Sequence, residues 1–278
     1  MRGSEVRDKT LIEAALRRDV GWHVYHLGDL DDELYPYTRW FATFDGAEID
    51  RLALFFDRYA PPILLALTND VDRMVEMLQD MGDLFPRRMH AHLSPGVVEA
   101  LRPEFEPLSA APHLRMQLTK PDALHDISPR DTSRPTSDDL PALHALYEHV
   151  YAGEEGGANV FHELMLDLGP YYGVYQGREL VAAAGVHVCS AEHGVAAVAN
   201  VATHPQQRGR RLAQRVTAAV CRELLPIAET IGLNVCADNV PAVAAYRRLG
   251  FDAAFEYEEM ELRRVSPPAA PAHPPPDA

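Results

Sequence analysis

The chain has 278 residues, 47% hydrophobic and 24% charged, with a formal charge of -15; this excludes disorder throughout, and the length suits two domains of about 100–200 residues each. The negative charge disfavours nucleic acid and anionic membrane as partners and favours a cationic acceptor. Cys189, Cys221 and Cys236 are too few and too irregularly spaced for a disulfide framework or a zinc knuckle. The amino terminus carries Arg2, Glu5, Arg7, Asp8 and Lys9 with no apolar stretch behind it, and the longest apolar run, Ile63 to Leu67, is too short to span a bilayer. The expectation is a cytoplasmic protein without a metal.

In chain order, Thr10 to Arg18 reads as an amphipathic helix, followed by His23 to Leu30 and an aromatic segment, Tyr35, Tyr37, Trp40, Phe41 and Phe44, that alternates like a strand. Asp45 and Gly46 make a turn into a strand from Ile49 to Tyr59. A short strand at Ile63 to Leu67, a helix from Asp72 to Met81 and a strand at Met89 to Leu93 follow. Proline and alanine punctuate Pro103, Pro107, Ala110, Ala111 and Pro112, which sets the expected boundary between a first domain, 1–110, and a second, 111–265. The second opens with a strand at His113 to Leu118, a helix from Ser137 to Tyr151 capped by Ser137, and a short helix at Phe161 to Leu168. Three antiparallel strands come next: Tyr171 to Tyr175, Leu180 to Cys189 and Val195 to Thr203. A polar loop, a long helix, a strand at Ile231 to Cys236, a short helix and a strand at Ala253 to Leu262 complete it. The tail, 266–278, is mostly Pro and Ala and is expected to stay extended.

Two segments carry chemistry. In the first, Val201, Ala202 and Thr203 end a strand, and Gln206, Arg208, Gly209, Arg210 and Arg211 form a loop opening a helix at Leu212 and Ala213. Unpaired amide N–H groups and the positive helix end suit a pyrophosphate, and Gly209 allows close backbone approach. A solvated surface loop is the alternative. In the second, Asn239 is a natural N-cap, Pro241 fits a first helical turn and Gly250 stops the helix. Tyr246 stands two turns along that helix, where a phenol can act as a general acid or simply fill a core.

Together these segments, strand, Arg-Gly loop, helix, strand, then Asn239-x-Pro241 through Tyr246 to Gly250-Phe251, resemble the GCN5-related N-acetyltransferase (GNAT) superfamily over residues 113 to 264. The resemblance implies a mixed α/β fold with a central, mostly antiparallel sheet flanked by helices, preceded by a smaller α/β domain. It implies acetyl-CoA as cosubstrate, with pyrophosphate on Gln206 to Leu212, pantetheine along Val201 to Thr203, cofactor contact at Asn239, and Tyr246 as general acid. Two positions depart from the pattern. Arg211 stands where a small residue is usual, and Asn200 holds the catalytic position where many members carry a glutamate base. His187, His204 and Glu259 are substitutes for that base, or the amine arrives deprotonated. Cys236 admits an acyl-cysteine route, although direct attack on the thioester is preferred. The first domain, through His26 to Leu30 and the strand to Trp40, is similar to the degenerate first half of two-domain members. Three functions follow: acetyl transfer to a primary amine on a small molecule or peptide, acyl-CoA sensing without turnover, or transfer of a longer acyl chain to an amino acid. A homodimer is left open.

Overall fold

The computed structural model describes residues 3–265 except 59, 80, 103, 152–160, 162 and 164. The tail at 266–278 and Pro103 lie outside the described residues, as do Tyr59 and part of the segment read as a helix from Phe161.

The first half runs β1 (Ser4–Val6), α1 (Lys9–Leu16), α2 (Val20–Gly28), β2 (Thr38–Asp45), β3 (Glu48–Phe56), β4 (Ile63–Ala66), α3 (Val71–Gln79), β5 (Arg88–Leu93) and β6 (Phe105–Leu118). The second runs β7 (Thr132–Ser133), α4 (Leu140–Tyr151), α5 (Met165–Leu168), β8 (Tyr172–Gln176), β9 (Glu179–Ser190), β10 (Val195–Thr203), α6 (Leu212–Leu224), β11 (Thr230–Cys236), α7 (Val240–Arg248) and β12 (Phe251–Arg264). All the strands join one sheet in the order β1-β2-β3-β4-β5-β12-β6-β11-β10-β9-β8-β7.

This order is symmetric about its centre. β4 pairs in parallel with β5 across α3, and β10 pairs in parallel with β11 across α6; the other pairings are antiparallel. The halves exchange strands at the seam: β6, from the first, pairs with β11, and β12, from the second, pairs with β5. Each half repeats one plan, helices, antiparallel strands, a parallel crossover and a closing strand.

Several local readings are corrected. The stretch expected to be a boundary, from Phe105 to Pro112, is continuous strand paired with β12 from Arg264 to Glu258. Its prolines are tolerated because the β11 ladder begins only at His113, so this end of β6 has one neighbour and needs no donor on its open side. The α4 segment starts from Thr136 rather than Ser137: Thr136 and Asp139 form a reciprocal capping box around a one-turn 3-10 segment. His23 to Gly28 belongs to α2, which bends at His23 and ends before Asp29 and Leu30, and Tyr35 to Tyr37 form a 3-10 turn before the strand. Among the described residues, no helix is long and apolar enough to cross a membrane.

Two cores flank the second half of the sheet. One face of β11, with Ile231, Leu233 and Val235, packs under Val216, Val220 and Leu224 of α6 and includes Tyr246 and Phe251. On the other face, Val24 and Leu27 of α2 cluster with Val188, Val195 and Ala197, so a first-half helix lies on the second half's strands. Gly250 closes α7 at φ 92°, and its carbonyl accepts from the N–H groups of Thr119 and Lys120, both at 3.0 Å. A Cβ there would lie 2.1 Å from the Lys120 carbonyl oxygen. Gly250→Ala is therefore expected to lose at least about 1–3 kcal/mol to backbone strain alone, lowering the thermal midpoint by several degrees; an unchanged midpoint would show that the seam yields freely.

Candidate active site

The parallel strands that centre the second half separate partway along. β10 and β11 pair only from Val195 to Val198 with Thr230 to Leu233. Beyond this, β11 stays with β6 to Cys236, while β10 stays with β9 at Ala202 and Thr203. The cause is local: β10 has irregularities after Ala197 and Ala199, and Asn200 takes a left-handed φ of 53°. Asparagine is among the few side chains that tolerate this conformation. The bend is held from the helical layer, since the Tyr147 hydroxyl donates to the Asn200 carbonyl at 2.7 Å and the Asn200 amide faces Met165 Sδ at 3.0 Å. Val201, Ala202 and Thr203 thus line one side of a gap, with Asn234 to Cys236 on the other. Thr203 Oγ1 is buried and meets no hydrogen-bond partner.

At the mouth of this gap, Pro205 to Gln207 form a 3-10 turn and Gly209 takes φ 79°. Arg211 caps α6 in the left-handed region at φ 59°, without a side-chain capping bond. The first amides of α6, from Leu212 and Ala213, lie in the first turn of the helix, where the N–H groups have no intrahelical partner, whereas the N–H groups of Gln206, Gln207 and Arg208 bond within the turn before it. Gln206, Arg208, Gly209, Arg210 and Arg211 are exposed. Gln207, held by Gln176 at 3.0 Å, accepts from Arg210. Among the described residues, Arg208 and Arg211 form no ion pair. A Cβ on Gly209 would meet nothing within 4 Å, so its role is conformational.

Across from this turn, the Asn239 side chain accepts from Ala242 N–H at 3.2 Å and starts α7. A bond from Gln214 Nε2 to the Ala245 carbonyl, at 3.4 Å, ties α6 to α7 one residue before Tyr246. The Arg-Gly turn and Tyr246 are thereby carried on neighbouring helices over the same strands. Tyr246 is buried edge-on against Phe251, with ring centroids 6.2 Å apart, and burial raises its phenol pKa, keeping it protonated. The charges of Tyr151 on α4 and Tyr25 on α2 act in the same direction.

Tyr25 was not singled out in the sequence, and neither was the buried group around it. Arg115 on β6 is wholly buried; its Nε donates to Asn234 Oδ1 at 3.1 Å, another nitrogen donates to the Trp22 carbonyl, and Nη2 has no partner. Its guanidinium lies 4.8 Å from the Tyr25 ring centre and 5.3 Å from that of Tyr257. A sequence signal did exist, a lone arginine in the apolar run His113 to Leu118. Burial pushes the nearby Asp29 carboxyl up to about 8 from 3.8. The folded state therefore holds this proton after the unfolded chain has lost it. The associated stability is complete below pH 3.8 and declines as pH rises toward about 8. Asp29→Asn is expected to gain on the wild type across that window in urea unfolding, then level off; parallel curves would contradict the burial of Asp29.

The three substitute bases have separate surroundings. His187 is held neutral by burial. His204 Nδ1 accepts from Gln206 N–H at 3.3 Å and so shapes the turn. Glu259 lies between His92 at 3.4 Å and His113 at 3.6 Å; hydrogen bonding and charge from these histidines overcome the opposing effect of burial and hold its carboxyl at about 2. Cys236 ends β11 opposite His113.

The matching turn of the first half has few open amides. The turn before α3 consumes its own donors: Thr68 N–H bonds Ser94 Oγ at 2.8 Å, Asp70 N–H bonds Thr68 Oγ1 at 2.9 Å, and Arg73 N–H reaches Asp70 Oδ1 at 3.4 Å. Asp70 places a carboxylate where a phosphate would need amides, and Arg51 engages it at 2.7 Å. A cavity of about 260 Å³ beside this turn is lined by Trp22, His23, Asp50, Arg51 and Thr68, among others.

Residues 138–251 match the model of the acetyltransferase (GNAT) family. The fold resembles that of a putative GNAT-family acetyltransferase from Novosphingobium aromaticivorans, with 21% identity, TM-score 0.59, and coverage of 86% of this chain and 96% of that one. A Drosophila protein aligns with TM-score 0.68 at 14% identity, covering 95% of this chain and 98% of its own. A tandem GNAT protein from the clavulanic acid biosynthesis pathway aligns with TM-score 0.55 at 15% identity over the same shares. A search of curated protein sequences finds no match.

Proposed function

We propose that the protein is an N-acetyltransferase that moves an acetyl group from acetyl-CoA directly to a primary amine. The observation that supports this reading is that β10 and β11 stop pairing after Val198 and Leu233, next in the chain to a turn with Gly209 at φ 79° and to the helix that carries the buried Tyr246. The turn and the start of α6 bind the diphosphate through N–H donors and a positive helix end, with Arg208, Arg210 and Arg211 adding charge. Arg211 then serves as a phosphate ligand, because its side chain is exposed and its backbone already occupies the left-handed conformation that the small residue supplies elsewhere. The free edge of β10 from Asn200 to Thr203 accepts the pantetheine arm.

In the transfer, the amine nitrogen forms a bond to the thioester carbonyl carbon and the carbon–sulfur bond breaks. The Tyr246 phenol donates its proton to the departing sulfur, and the attacking nitrogen releases one of its own to solvent, from which the phenolate is reprotonated. Asn200 has no proton-accepting carboxylate and shapes the β10 bend, so the acceptor is taken up as the free amine. α2 covers the strands on the other face, and the acceptor is taken to enter there, at the junction of the two halves. Incubation with acetyl-CoA, longer acyl-CoAs and an amine panel, followed by free-thiol detection, tests the proposal. Thiol release that depends on both acetyl-CoA and an amine is expected. Tight CoA binding without release from any thioester would instead indicate a sensor.

A further inference from the structure

We propose a divalent metal site, of the zinc class, at the contact between the β9–β10 turn and the turn after α2, formed by Asp31, Glu192 and His193. One ligand atom from each of the three lies within 4.8 Å of the other two. His193 is 6% exposed, and its Nε2 has no hydrogen-bond partner while lying 3.7 Å from Asp31 Oδ1. That spacing is too long for a hydrogen bond. It is close to the roughly 3.4 Å that separates two ligands of a tetrahedral ion bound at about 2.0–2.2 Å.

The surroundings orient the imidazole for metal binding. Nδ1 lies 3.2 Å from Glu13 Oε1, an arrangement in which the ring donates from Nδ1 and leaves the Nε2 lone pair facing Asp31. Ser190 Oγ donates to Asp31 Oδ1 at 2.6 Å and accepts from His193 N–H at 3.1 Å, which fixes one carboxylate relative to the histidine backbone. Arg17, 2.6 Å from Glu13 and donating to the His193 carbonyl at 3.2 Å, balances Glu13. Asp31 and Glu192 are left as anionic ligands, and Glu192 is exposed, which leaves coordination positions for water. One imidazole with two carboxylates suits zinc and its neighbours better than calcium or magnesium. Glu13 and Asp31 belong to the first half and Glu192 and His193 to the second, so an ion here clips the halves together beside α2. This departs from the expectation of a metal-free protein.

The test uses the metal-free full chain, titrated with Zn²⁺ by calorimetry and with Co²⁺ by visible absorption. One equivalent is expected for the wild type and none at this site for His193→Ala. Glu192→Gln, a change at an exposed position that leaves the fold intact, is expected to bind tenfold or more weakly, and Glu13→Gln about 10- to 100-fold more weakly. Zn²⁺ should raise the thermal midpoint of the wild type but not that of His193→Ala. Absence of uptake by the wild type, or uptake unchanged in both His193→Ala and Glu192→Gln, would overturn the site in favour of a purely hydrogen-bonded histidine.

Discussion

Tyr246→Phe is expected to lower turnover with acetyl-CoA and a reactive amine by about a hundred- to ten-thousandfold, the range that a positioned general acid contributes. The change removes one oxygen from a buried ring and keeps its edge-on contact with Phe251, so folding and CoA affinity should persist. The loss therefore belongs in kcat rather than in binding. Burial raises the phenol pKa, so the acid form prevails at neutral pH and the wild type needs no nearby charge to keep its proton. Equal turnover by the two proteins in the thiol-release assay would assign Tyr246 to the core and leave the departing sulfur to water or to another donor.

Gly209→Val is the complementary change, expected to act on binding. At φ 79°, a β-branched side chain is strained by about 1–3 kcal/mol, and the turn escapes by rotating its amides away from their present direction. Restoring the binding conformation should then weaken CoA affinity by about ten- to a hundredfold. Stability should change little, since a Cβ at this position meets nothing within 4 Å and the turn is exposed. Calorimetry with CoA and thermal unfolding on the same preparations separate the two effects. Unchanged affinity would place the diphosphate elsewhere.

Much of the second half is legible locally because its signals are chemical and short-ranged. Asn239, Pro241 and Gly250 mark the start and stop of α7, and the structure shows each in that role. Gly209 marks a bend that only the left-handed region supplies. The three successive strands before the loop are likewise announced by alternation and by the turn at Gly177. The strand exchange at the seam is not legible, because pairing of β6 with β12 joins distant segments and leaves no local periodicity. Pro107 and Pro112 point away from a strand, and only the missing neighbour on that side of β6 makes them harmless. The Asn200 bend is hidden for a related reason: an asparagine in place of an acidic residue reads as a lost base, whereas its left-handed backbone, fixed by Tyr147, opens the gap. Arg115 and Tyr25 escape notice because their partners come from opposite halves. The self-capped turn at Asp70 escapes notice as well, because its partners Arg51 and Ser94 lie on other elements.

The central claim is that the Gly209 turn and Tyr246 serve one acyl-CoA molecule laid through the gap between β10 and β11. A crystal structure of the full chain with CoA tests it most directly. The account predicts the diphosphate on the amides from Gly209 to Ala213, the pantetheine against Asn200 to Thr203, and the sulfur within hydrogen-bonding reach of the Tyr246 hydroxyl. Diphosphate bound at the Thr68 to Asp70 turn, or a sulfur remote from Tyr246, would contradict it.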